Sequence, residues 1–212
     1  MRILTTIALT ASLAASASAQ APDRTARDAR LTCELLADII APSRARGDAP
    51  IYVSRFFATN PSDEPFRIES LADFIRLQGD GNPWGVTPTW EAAFGQLRAS
   101  VVAEAWAAWN AGGPVSCPDL TEVQLTTREA FESVSRHVAN THEAAQYVGP
   151  SRPGVPAQPE VPYPTYFEIS RPAFDEFGHR ALVIQDLGTL STIYEFRDGH
   201  WQAEAFNLLR SH

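Results

Sequence analysis

The sequence predicts an α+β protein, with N-terminal helices packed on one face of a mostly antiparallel C-terminal β-meander. Three observations carry that prediction. Apolar residues recur at the helical period in the first two thirds of the chain, six prolines stand in the fifteen residues 150–164, and beyond them the pattern switches to period two.

Residues 1–19 have the form of a secretory signal. Arg2 is a short positive start, Ile3 to Leu9 opens an apolar stretch too short to span a bilayer, and Ala17-Ser18-Ala19 is a small-residue cleavage site. Cleavage after Ala19 leaves Gln20 first, with no membrane span afterwards and a periplasmic or extracellular location. Residues 20–30 are polar and arginine-rich and are expected to be a flexible N-terminus. The mainly helical part, 31–149, opens with Leu31, Leu35, Leu36, Ile39 and Ile40 on one helical face, in a helix ended by Pro42. Ile51 to Phe57 reads as a strand between Pro50 and Asn60-Pro61, and Ser70 with Asp73 caps a short helix through Leu77. Gly79 to Gly85 is a loop.

A long helix starts at Thr87-Pro88, where proline suits the first helical position. It runs through Trp90, Phe94, Leu97, Val101, Val102, Trp106 and Trp109 to a stop at Gly112-Gly113-Pro114. Val123 and Leu125 alternate as a short strand, and Thr126 with Glu129 forms a capping box for a helix to Ala139. Residues 150–164 are an extended proline-rich connector. Residues 165–212 then form the meander of the same domain, with strands at Thr165–Arg171, Arg180–Asp186, Leu190–Arg197 and Trp201–Leu208. Asp198-Gly199 is the two-residue hairpin turn.

Seventeen arginines, no lysine and twenty-five acidic residues give a net charge of −8. That balance argues against nucleic-acid binding, which needs a basic face, and the missing lysine excludes Schiff-base chemistry and a phosphate-loop lysine. No cofactor is called for. In an oxidising compartment the two cysteines, Cys33 and Cys117, are most simply one disulfide, since no C-x-x-C pair is present.

The histidines give one weak metal or catalytic candidate. His137 and His142 are five positions apart, about 140° around a helix, and Glu143 follows the second instead of lying between them. If the helix ended near Ala139, His142 could swing back toward His137. No Gly-x-Ser-x-Gly elbow exists, although Ser170 and His179 could meet across a turn. Glu168, Asp186, Glu195 and Glu204 fall on strands, where some must share a face. Asp80 and Asn82 form one corner of a calcium loop without its other ligands. Trp90, Trp106 and Trp109 make an aromatic row that serves either as helix core or as a ligand or partner surface.

The last third carries a resemblance. Ile169-Ser170-Arg171-Pro172-Ala173-Phe174-Asp175, Ala181-Leu182-Val183, Tyr194-Glu195-Phe196 and Asp198-Gly199-His200-Trp201 stand in an order that resembles the ending of a broad set of uncharacterised bacterial exported proteins and lipoproteins. In that set a Gly- or Cys-rich loop often joins the second and third strands, where this chain has only Leu187-Gly188-Thr189. The resemblance implies a fold and a secreted setting, not a reaction. With no catalytic set assembled, the sequence points to a non-catalytic envelope module that binds an unidentified protein or small molecule. An exported hydrolase or metal-binding protein using His137, His142 and Glu143 is the alternative, and a purely structural envelope protein is a third.

Overall fold

The computed structural model describes residues 21–46, 50–59, 88–121, 123–147, 163–185 and 190–208, the side chains of 21–23, 141–147 and 208 excepted. The signal stretch, the helix at Ser70, the loop with Asp80 and Asn82, and nearly all of the proline-rich connector therefore lie outside the described residues.

Helix α1 spans Ala21–Ala45. It begins ten residues before the expected start, so the supposedly flexible stretch is helical. Pro22 and Asp23 suit a first helical turn, and Arg24–Asp28 and Arg30–Glu34 ion pairs follow at i, i+4. Arg27 then donates to the carbonyls of Glu176 and Asp175, tying this stretch to the meander. Pro42 does not stop the helix. It deletes one N–H donor, and α1 closes within a turn at Ala45.

Strand β1 is Ile51–Ser54, shorter than expected, because the chain then bends and Phe56 pairs alone with Pro114. The single helix expected from Pro88 is two, α2 at Pro88–Gly95 and α3 at Ala99–Ala111. Gly95 weakens the helix, and the N–H groups of Gln96 and Leu97 bond three residues back, to Ala93 and Phe94. Arg98 is then extended, at φ −71° and ψ 145°. The break lets α2 pack on the last strands of the meander while α3 packs on the first.

Strand β2 is Gln124–Thr126 and α4 is Arg128–Tyr147. The helix cap is Thr127, one residue later than expected, its Oγ1 accepting from Ala130 N–H at 3.3 Å. Exposed Glu129 in the first turn is held below the usual carboxylate range by its own backbone N–H, then by the Thr127 hydroxyl.

Strand β3 is Thr165–Phe167. It does not open the meander, as expected, but lies parallel to β1, which also pairs in parallel with β2, giving the order β2-β1-β3. The chain crosses to the second sheet at Ile169, whose carbonyl accepts from Ala58 and which bridges Gln185. Pro172 has no N–H to continue a ladder. The meander proper is β4 (Ala173–Phe174), β5 (Arg180–Gln185), β6 (Leu190–Arg197) and β7 (His200–Leu208), antiparallel and in sequence order. Asp198 at φ 55° and Gly199 at φ 85° make the expected hairpin turn.

The chain is thus α+β, with N-terminal helices and a C-terminal antiparallel meander. The helices divide between the two faces of that meander. Leu182, Ile184, Ile193 and Ala205 meet α2 and α3, whereas Phe174, Ala181, Val183 and Trp201 meet α1 and β1. A bulge makes this division possible. Ile193 pairs with Ala205 but Tyr194 with Ala203, so Glu204 is an extra residue in β7. Trp201 and Ala205 are four apart and would otherwise share a face; the bulge sends them to opposite cores.

Ser170 closes the join between the sheets. It is 0% exposed, its N–H donates to Ile184 and its hydroxyl accepts from Ile184 N–H at 2.9 Å. Ser170→Ala leaves that buried donor unpaired and is expected to cost about 1–3 kcal/mol in urea unfolding, with the fold retained. A change below a few tenths of a kcal/mol would contradict the role.

Candidate functional site

Cys33 and Cys117 are joined, with Cα atoms 5.3 Å apart, and link α1 to the loop between α3 and β2. Trp90, Trp106 and Trp109 are 0%, 3% and 3% exposed, so they are core and not a ligand surface. Trp90 stacks on Phe94, and Trp106 meets Trp109 edge-on. Both helices that carry these indoles lie flat on the meander, so the apolar row faces inward.

Helix α4 continues eight residues past Ala139, which removes the swing that would have brought His142 back toward His137. His137 is exposed on that helix, and the side chains of His142 and Glu143 lie outside the described atoms. Among the described residues no group of three His, Cys, Asp or Glu side chains could hold a metal ion. The Ser170 hydroxyl accepts from Ile184 N–H, whereas the backbone N–H of His179 donates to Asp175 within its own turn and the His179 ring lies 6.3 Å from the Phe177 ring. Glu195 and Glu204 do approach a common cation, Arg180, at 3.6 and 3.4 Å, and Arg197 joins both. Two guanidiniums against two carboxylates make a balanced ion-pair network.

A polar cluster covers the outer face of the small parallel sheet. Tyr52, Ser54, Tyr166 and Glu168 alternate onto that face, away from Ile51 and Val53. Phe131 of α4 stacks on Tyr166 at 4.6 Å, and the Arg128 guanidinium sits 5.5 Å from the same ring while binding Glu168. Burial alone would lower the Arg128 pKa, but the hydrogen bond and charge of Glu168 outweigh it and the net direction is upward. Burial raises the Tyr166 phenol, and Ser54 offsets this only in part. The phenol oxygen is buried without a hydrogen-bond partner of good geometry. Because its pKa is raised on folding, the stability it contributes is whole below pH 10 and drains away as the pH rises through the folded value. Tyr166→Phe is therefore expected to be near neutral at pH 7 and to flatten the loss of stability above pH 10, read by urea unfolding at both. Parallel alkaline slopes for the two proteins would refute this.

The cleft with open chemistry lies beside the disulfide. It holds about 340 Å³, between Asp28 and Thr32 of α1, Glu104 of α3, the loop at Ser116 and the Arg171-Pro172 step before β4. Arg171 donates to the Gly112 carbonyl at 3.0 Å, and its guanidinium carbon lies 5.5 Å from the centre of the Phe57 ring. Gly113 makes that seat possible: it sits at φ +125°, and a Cβ there would stand 2.6 Å from Arg171 Nη2. Among the described residues no carboxylate pairs with Arg171. Asp28 and Glu104 are already paired, the first with Arg24 and Arg27, the second with Arg24. Arg171 is thus the one cation among the residues that line the cleft, and the two lining acids are held by arginines outside that lining, Arg24 and Arg27.

Sequence reasoning did not find this cleft. Residues 28, 57, 104 and 171 converge from four separate segments, and no local spacing in the sequence brings them together. The fold and the cleft together define a disulfide-pinned α+β protein with a surface cleft at Arg171. No protein family, no curated protein and no solved structure matches this chain.

Proposed function

We propose that this is an exported, non-catalytic binding module of the cell envelope that takes a small carboxylate-bearing ligand into the cleft at Arg171. The observation that carries the reading is the guanidinium itself. It is anchored by a carbonyl and an aromatic face, has no acidic partner among the described residues, and lines a cleft of ligand size. A planar carboxylate matches its remaining N–H donors, and the two acids of the lining, Asp28 and Glu104, are engaged by Arg24 and Arg27. Export is supported by the Cys33–Cys117 bond and by the signal-like start of the sequence; among the described residues no helix is long and apolar enough to cross a membrane.

N-acetyldialanine and its C-terminal amide test the site by calorimetric titration. The free acid is expected to bind saturably and the amide at least tenfold more weakly. Arg171→Ala should lose about tenfold to a hundredfold, as for a hydrogen bond to a charged group, and Arg171→Lys should lose less. Equal binding of acid and amide, or an unchanged affinity in a folded Arg171→Ala protein, would overturn the assignment.

A further inference from the structure

A second cleft of about 530 Å³ lies on the other side of the disulfide, between Ala29, Cys33 and Ala37 of α1 and the loop at Pro118 and Leu120. Ala29 and Ser116 line both clefts, and Cys117 lines the first and Cys33 the second, so the two adjoin at the disulfide. From Thr25, in the first cleft, to Ala37, in the second, α1 advances twelve residues, about 18 Å at about 1.5 Å per residue. That length accepts about five residues of extended chain at about 3.3 Å each.

We propose that the two clefts form one groove for the C-terminal segment of an extended peptide, with its terminal carboxylate on Arg171 and the preceding residues running along α1 across the disulfide. This rests on the carboxylate reading of Arg171 and adds the class of ligand. Charge complementarity gives the direction, because Arg171 at one end has no acidic partner among the described residues, whereas Arg30, the arginine of the far cleft, is paired with Glu34. The rim selects peptide over alkyl chain. Arg30, Glu34 and Asp119 border the far cleft, which opens to solvent. An extended peptide can turn its backbone polar groups to that rim and to water, whereas an alkyl chain would stay largely wet and gain little burial.

Titration of the intact, disulfide-bonded protein separates this proposal from the one beneath it. N-acetylpentaalanine with a free carboxylate is expected to bind at least tenfold more tightly than N-acetyldialanine. Ala37→Arg, which fills the far cleft, should bring the longer peptide down to the affinity of the shorter and leave the shorter unchanged. Ala37→Met makes the same test with a smaller intrusion, should the arginine variant fail to fold. Equal affinities for the two peptides would overturn the groove while leaving the Arg171 site standing. Failure of both peptides to bind would remove the site itself, and saturable binding of laurate in place of the longer peptide would also overturn the proposal.

Discussion

Replacing both Cys33 and Cys117 with alanine is expected to lower the stability of the protein by about 4–5 kcal/mol in urea unfolding. The bond closes a loop with a sequence separation of 84, and loop-closure entropy on that scale gives a figure of this size. Its position adds to the consequence. Cys117 belongs to the core under α1, and the loop that carries it is otherwise held by the Phe56–Pro114 bridge and by Arg44 donating to the Thr121 carbonyl. The double variant should therefore also lose affinity for N-acetyldialanine, because Ser116 and Cys117 line the cleft. A double variant within 1 kcal/mol of the parent, the bond having been verified in the parent by thiol titration, would show that the rest of the fold already restrains the unfolded chain (about 1 kcal/mol being a common single-substitution effect).

Trp90→Ala is the second large effect, with an expected loss of about 3–5 kcal/mol. Trp90 is fully buried, stacks on Phe94 at 4.6 Å, and belongs to the core that α2 and α3 form with Leu182, Ile184 and Ile193. Removing the indole opens a cavity that the rigid face of the meander cannot collapse to fill. Phe177→Ala is the matching control. That ring is 70% exposed, and its loss is expected to stay within about 0.5 kcal/mol. If the two substitutions proved equal in urea unfolding, the division of the molecule into core and surface would be wrong.

The signals that survived from sequence to structure are local ones. Alternation located β5, β6 and β7 to within a residue at each end, and Asp198-Gly199 located their hairpin, because a tight turn depends on the residues that form it. The helical period found the buried face of α1, with Leu31, Leu35, Leu36 and Ile40, but missed its first turns. Those turns are stabilised by Arg27 reaching the carbonyls of residues 175 and 176, almost 150 positions away. The stretch Thr165–Arg171 shows the other limit. It alternates like a meander strand, yet β3 pairs in parallel with β1, and period two does not say which strand is the neighbour.

The sequence by itself determined the α+β class, the hairpin, the amphipathic faces of the helices and the presence of exactly two sulfurs available to pair. Each of these depends on residue type and on spacing over a few positions. Tertiary structure decided the rest: the parallel sheet, the bulge at Glu204 that sends Trp201 and Ala205 to opposite cores, the burial of Trp90, Trp106 and Trp109, and the cleft at Arg171. These depend on contacts between segments far apart in the chain. That the Arg171 guanidinium has no acidic partner among the described residues becomes visible only when segments distant in the chain are placed around it.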